Sequence, residues 1–286
     1  YSLFIDYLSQ TDSAASDAFW KTNLDGFNTP AFPVIKDTSR QIVSGSRQHN
    51  TMDLPSISNT EVTLPVMIRA AWAMTIADQS EAADVAFGET LMARSINLPG
   101  VTTMAGPVLT TVPTRVQVNN KNTVLSLLQS INQHMIDVIP HQHAGVQRIR
   151  RLAKSASTAC DFQNLLVVQS DDQALEKSVW DFADIQAGEE FFTHPLVIEC
   201  KVAGSKIKTT AHHDEHVIAA DKVNRLVDRF NFILKQLAEL PKNSDITVGH
   251  IDLVGPSDKA QILKWNSDRI EPIEKTIHDL VFKQRV

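Results

Sequence analysis

Residues 84–118 read DVAFGETLMARSINLPGVTTMAGPVLTTVPTRVQV, and this stretch decides the fold. Val85 and Phe87 alternate with smaller residues as a short strand running into Gly88. A long crossing loop between Gly88 and Val112 follows, with Arg94 inside it. Gly106-Pro107, a Thr110-Thr111 step and Pro113 then lead to Arg115. Val112, Thr114, Val116 and Val118 alternate as a second strand. Structureless connections longer than about 12–15 residues are uncommon in compact domains and usually functional. Proline fixes φ, so Pro107 and Pro113 stiffen the return of the loop.

On the N-terminal side, residues 1–10 and 14–24 have helical spacing. Leu3, Tyr7 and Leu8 share one face of the first helix. Ala15, Ala18, Phe19 and Leu24 mark the second, with Asp12 or Ser13 as its cap. Residues 41–58 alternate weakly and read as strand and turn. Leu64, Met67, Ile68, Ala71, Trp72 and Ile76 then predict a helix, capped by Asn59 or Thr60 with Pro65 near its start.

On the C-terminal side, Val124, Leu127, Leu128, Ile131, Met135 and Val138 recur at three- and four-residue steps, predicting a helix over 123–139. Asn122 is its expected cap and Pro140 its stop. FQNLLVVQ at 162–169 reads as a buried strand. PLVIECKV (195–202) and KIKTTA (206–211) read as a hairpin turning at Gly204. Residues 221–240 carry one apolar stripe, from Val223 through Phe230 to Leu237. Beyond Pro241, residues 242–272 are linker-like, interrupted by a short helix over 259–264. Helices alternating with strands and no internal repeat point to an α/β (α+β) domain over 30–240.

The bulk numbers exclude several classes. The 286 residues carry a net charge of −6, which argues against a nucleic-acid footprint. No run is long and apolar enough to span a membrane. The start, YSLFIDYL, has no basic leader or cleavage site. It reads as mid-helix, and both ends look like cuts in a longer polypeptide. The two cysteines, Cys160 and Cys200, form no metal pair or disulfide framework, so buried thiols in a cytoplasmic protein are expected. His141 with His143, and His212 with His216, could share faces, but no His-Glu-x-x-His or cysteine pattern supports a metal. Arg148–Arg151 reads as a solvated basic face.

Taken together, these residues resemble one family, the condensation domains of fungal nonribosomal peptide synthetases. DVAFG…AR…LPG…MAGPVLTTVPTRV is similar to the family block VxFG…GR…IxG…GPxxNTxPxRV. DFQNLLVVQ is similar to its xFxxLxVxQ strand, which ends at Gln169. Asp17, Phe19, Trp20 and Leu24 fit its AxxFWxxxL helix. LKWNSDRIEPIEKTIHDLVFKQ at 263–284 resembles the opening of an adenylation domain. Departures are Ala93 before Arg94, where glycine is usual, and Thr110, where asparagine is common. His212-His213-Asp214-Glu215-His216 lacks the Asp-Gly of the family's HHxxxDG signature and is not assigned catalysis.

The resemblance implies a chloramphenicol acetyltransferase-like lobe, the second of two lobes in a V. Residues 1–29 would be closing helices of the first lobe and 30–240 the second lobe. Residues 241–270 would be a linker and 271–286 the start of adenylation. It also implies amide formation between thioesters held on the 4'-phosphopantetheine arms of upstream and downstream peptidyl carrier domains, with no metal. No catalytic residue is expected in this chain. Arg94, Gly106, Pro107, Thr110, Thr111, Pro113, Arg115 and Gln169 would form or brace the tunnel floor, with Arg94 and Arg115 tying the loop through carboxylates or carbonyls across the lobes. The other reading is a non-catalytic scaffold between carrier and adenylation domains.

Overall fold

The computed structural model describes residues 1–53, 62–92, 96, 98–170, 192–204, 206–241, 244–267, 276 and 278. Two compact units divide the chain, Tyr1–Leu253 and Val254–Val286. In the first unit, helices α1 (Ser2–Gln10) and α2 (Ser13–Asn23) precede strand β1 (Ser46–Asp53) and helix α3 (Leu64–Ser80). Strands β2 (Asp84–Met92) and β3 (Leu109–Gln117) flank the crossing segment. Helices α4 (Val124–Val138), α5 (Val146–Arg150) and α6 (Lys154–Cys160) follow. Strands β4 (Asn164–Ser170), β5 (Leu196–Ala203) and β6 (Lys206–His213) then lead to helix α7 (Ala220–Glu239). The second unit contains α8 (Pro256–Ser267).

Among the described residues the strands form one six-stranded sheet in the order β1-β6-β5-β4-β2-β3. Central β4 is parallel to both β2 and β5, and the other neighbours are antiparallel. The β5–β6 hairpin turns at Gly204, whose φ of +58° suits glycine. Helices α3 and α7 pack on each other and on one face, beside α4, while α5 and α6 cover β2 and β3 from the other.

The core explains α3. Every residue from Val66 to Ile76 is buried, because the helix packs against β2, α4 and α7. Ala70, Ala71 and Ala73 permit that close approach. Trp72 meets Phe230 edge-on at 6.1 Å between ring centroids and donates its Nε1–H to Asn164 Oδ1 at 3.0 Å. Asn164, itself buried, donates to the carbonyl of Phe32 at 2.6 Å. A buried polar group needs such partners, since leaving one unmet costs about 1–3 kcal/mol. The stripe read on α7 is buried from Val223 to Leu237.

Several local readings need correction. Strand β2 does not stop at Gly88. It runs to Met92, and β3 begins at Leu109, so the crossing segment shrinks to 93–108. Gly88 is there because the Phe162 ring lies over it: a Cβ would come within 2.3 Å of that ring. Residue Thr63 is the N-cap of α3, while Asn59 and Thr60 lie outside the described residues. Thr123, not Asn122, caps α4 by accepting from the Ser126 amide at 3.1 Å. Helix α1 buries Phe4 and leaves Leu3 exposed. Helix α2 buries Ser16 and Trp20 rather than Ala15 and Ala18, with Asp12 as its cap.

The linker-like composition after Pro241 conceals packed structure. Val248 and Ile251 belong to the main core, and Thr247 bridges to Thr123. Helix α8 is also longer than the predicted 259–264 turn.

Candidate functional site

The crossing segment is held down by the first helix. Ile96, Val101 and Val108 form a cluster with Phe4 of α1. Gly106 has a φ of +135°, and a Cβ there would meet the Tyr1 ring at 2.6 Å. The Tyr1 hydroxyl donates to the carbonyl of Pro107 at 3.2 Å. In β3, Thr111 pairs with Thr90 and Pro113 with Gly88. Thr110 donates its hydroxyl proton to the carbonyl of Gln142 at 2.8 Å.

Arg115 gathers three elements. Its guanidinium forks onto the Asp84 carboxylate, Nε to Oδ1 at 2.9 Å and Nη2 to Oδ2 at 2.8 Å. The remaining nitrogen donates to the carbonyl of Asn23, the last residue of α2, at 3.1 Å and to that of Asp25, just beyond it, at 2.7 Å. The Phe27 ring lies 5.7 Å beneath the guanidinium carbon. A planar five-donor fork is suited to such a junction, and lysine could not reproduce it.

Between α3, α4 and the ends of β2 and β4 opens a cavity of about 570 Å³. Its polar centre is a buried ion pair between Arg69 of α3 and Glu89 of β2. The Thr114 hydroxyl donates to the other Glu89 oxygen at 3.0 Å, and Arg69 also donates to the carbonyl of Pro65 at 2.8 Å. His134 of α4 lines the cavity and also a smaller one of about 230 Å³ beside Arg115. Its Nδ1 lies 3.2 Å from the Asn23 amide nitrogen. An amide nitrogen can only donate, so Nδ1 accepts and the neutral ring carries its proton on Nε2. Burial holds the His134 pKa below its ordinary value and keeps the ring neutral. Gln142, Gln169, Thr90 and Asn132 add to the polar lining, and most of the remaining wall is aliphatic.

Residues 3–263 match the family model of the condensation domain. The chain belongs to the condensation-domain family. It is 41% identical over 283 residues to nonribosomal peptide synthetase nlsA of Emericella nidulans, covering 98% of this chain and 5% of that protein. Nonribosomal peptide synthetase 1 of Aspergillus fumigatus is also 41% identical, over 98% of this chain and 4% of its own length. The chain thus spans about one-twentieth of these curated relatives. Among solved structures, the X-domain from teicoplanin biosynthesis aligns with a TM-score of 0.64 at 19% identity, covering 87% of this chain and 59% of that one. The starter condensation domain of rhizomide synthetase RzmA gives 0.59 at 15% identity, over 87% and 57%. These likenesses establish the condensation-domain fold.

Within this condensation-domain chain, the expected site residues do not all converge. Gln169 reaches the cavity, whereas Thr110, Pro113 and Arg115 stand behind its wall and Gly106-Pro107 lies at the α1 contact. Arg94 lies outside the described residues. Arg69, Glu89, His134 and Gln142 were not singled out in the sequence. Glu89 had a signal: a carboxylate inside an apolar strand, two residues after the buried Phe87. His134 could have been found as a polar break in an otherwise apolar face.

His212 and His213 close β6 and play a structural part. The His212 ring hydrogen-bonds Glu199 at 2.8 Å, His213 is fully buried, and the Asp214 carboxylate accepts from the Val43 and His216 amides at 2.8 and 2.9 Å. Among the described residues no cluster of three or more His, Cys, Asp or Glu could hold a metal, and no helix is long and apolar enough to cross a membrane. His141 shares a hydrogen bond with Ser16 at 3.1 Å, and its carbonyl accepts from Trp20 at 3.0 Å. Arg148 of the basic stretch pairs with Asp17 at 2.6 Å on the surface. Burial pushes the Cys160 and Cys200 thiols up to about 12, which leaves them unreactive at neutral pH.

Proposed function

We propose that this chain is the second lobe of a condensation domain that joins two carrier-bound thioesters into an amide. The match of residues 3–263 to the condensation-domain model carries this reading. In the reaction, the amine of the downstream aminoacyl thioester attacks the upstream thioester carbonyl. A C–N bond forms, the C–S bond breaks, and the upstream phosphopantetheine leaves as a thiol carrying the proton lost by the amine. A thioester is already activated, so holding the two arms in line and keeping water out supply much of the acceleration.

In this reading the aliphatic cavity beside Glu89 is part of the tunnel wall, and Gln169 faces the substrates. Pro113, Thr110 and Thr111 stiffen the strand behind it. Gly106 and Pro107 seat the crossing segment on α1. Arg115 ties that strand to the end of α2. No HHxxxDG occurs in the 286 residues, so the histidine that handles the amine proton belongs to the first lobe. The partners are upstream and downstream peptidyl carrier domains and an adenylation domain that residues 271–286 open. A cytoplasmic setting fits two buried free thiols. A purely scaffolding lobe is not favoured, because a scaffold has no need of a polar-centred cavity.

The test joins this chain to a histidine-bearing first lobe and follows free thiol on the upstream carrier. Release that requires an amine on the downstream carrier supports condensation. Release at the same rate without the amine indicates hydrolysis and overturns the proposal.

A further inference from the structure

Most polar groups around the cavity are engaged with one another or shut away from it. Arg69 gives Nη1 to the carbonyl of Pro65 and Nη2 to Glu89, and its Nε is sealed inside the protein. Glu89 takes Arg69 on one oxygen and Thr114 on the other. His134 Nδ1 accepts from Asn23, while His134 Nε2 and Gln142 Nε2 are sealed, so no ligand reaches them. Thr90, Asn132 and Gln169 supply the polar surface that is left.

What faces the cavity between these groups is hydrocarbon. Leu91 of β2, Met135 and Val138 of α4, Val168 of β4 and Val202 of β5 line it. The apolar lining continues to the surface, where Met92 and Ile136 are each 52% exposed. Single exposed apolar residues are ordinary on a protein surface, but two on the rim of an aliphatic cavity mark a way in for hydrocarbon.

Charge and size narrow the ligand. Arg69 and Glu89 cancel and hold each other, so an ionised group entering the cavity would lose its water and gain no counter-charge. An uncharged polar group would give up hydrogen bonds to water and find few in return. Each methylene buried against the aliphatic wall is favourable instead. The volume of about 570 Å³ lies within the range of small-molecule sites, roughly 300–1,000 Å³.

We infer that this cavity receives an uncharged hydrocarbon group of the carrier-bound acyl chain and selects it by apolar burial. The inference rests on the condensation reading for the origin of the ligand, but the preference for hydrocarbon stands on the lining itself.

Binding to the 286-residue chain is measured by calorimetry at pH 7.5 with the pantetheine amides of butyrate, hexanoate, octanoate and adipate. Affinity is expected to rise about fourfold per added methylene, the worth of one buried CH₂ group. The adipate probe is the hexanoate probe with a carboxylate for its last methyl, and it should bind about tenfold or more weaker than hexanoate. Met135→Trp or Ile139→Trp fills the cavity and should flatten the rise to about twofold across the series. Leu263→Ser, at an exposed apolar position of α8, should leave the rise unchanged. A flat series, or equal binding of adipate and hexanoate, overturns the inference, and this comparison needs no variant to fold. A rise that survives in either filled variant, once folded, also overturns it, because the hydrocarbon then lies elsewhere. The N-acetylalanine and N-acetylleucine amides identify the source of the hydrocarbon. A gain of about fourfold per carbon between them assigns an amino-acid side chain, and its absence beside a rising linear series assigns an unbranched acyl chain. If no probe binds while the completed domain condenses, the pocket fails and the condensation reading survives. If the series rises but no condensation occurs, the reverse holds.

Discussion

Arg115 of β3, opposite Ala86, reaches diagonally along β2 to Asp84, and the fork between them is two-pronged, at 2.9 and 2.8 Å. Because the same guanidinium holds the carbonyls of Asn23 and Asp25, one side chain joins the β2–β3 edge to the end of α2. Arg115→Ala is expected to destabilise unit Tyr1–Leu253 by about 2–4 kcal/mol, since it strands a partly buried carboxylate and two carbonyls. Arg115→Lys should recover less than half of that loss. Urea unfolding of the three proteins measures both, and equal stability of all three would contradict the clasp.

Gly88 and Phe162 make a steric prediction. A methyl group at residue 88 has no room beneath the Phe162 ring, so Gly88→Ala should cost about 1–3 kcal/mol. Adding Phe162→Leu should return part of that cost. A double-mutant cycle in which the two losses simply add would show that the ring is not the obstacle.

The buried Arg69–Glu89 pair should be asymmetric to its own loss. Glu89→Ala or Arg69→Met alone leaves an uncompensated buried charge and is expected to cost about 3–5 kcal/mol. The double replacement Arg69→Met with Glu89→Leu should cost clearly less than the sum. Thermal unfolding of the set decides, and strict additivity would contradict a dry, coupled pair.

Histidine burial sets the pH dependence of stability. His134, His143, His194 and His213 are all held below the ordinary histidine pKa by desolvation. At pH 7.5 both folded and unfolded chains carry these rings neutral, so they cost nothing. Below about 6.5 the unfolded chain takes up protons that the folded chain refuses, and stability falls. The urea midpoint should therefore be lower at pH 5.5 than at pH 7.5. His213→Asn or His134→Asn should reduce that difference. A midpoint that rises on acidification would reverse the sign and contradict buried neutral rings.

Much of this architecture was legible because periodicity reports burial. The stripes of α4 and α7 and the apolar run of β4 were read directly, since one-sided or fully apolar segments leave a clear pattern. The packed 244–253 segment was hidden by its polar composition, with Val248 and Ile251 buried as anchors. Gly88 was misread as a strand end, because a glycine that ends a strand and one that admits a ring look alike in sequence. The cavity was hardest to foresee. Its polar groups come from α3, β2, β3, α4 and β4 and from the turn at Gln142, and no local spacing links them. Arg115 was foreseeable as a tie, yet its partners at the end of α2 lie about ninety residues away, beyond the reach of any motif.

Amide formation between two loaded carrier domains tests the central claim most directly. Intact-protein mass spectrometry would follow three reactions: the histidine-bearing first lobe alone, this chain alone, and the two joined as one polypeptide. The account predicts that the downstream carrier gains the mass of the upstream acyl group only in the joined protein. Amide formation by this chain alone, or none by the joined domain with both carriers loaded, would contradict it.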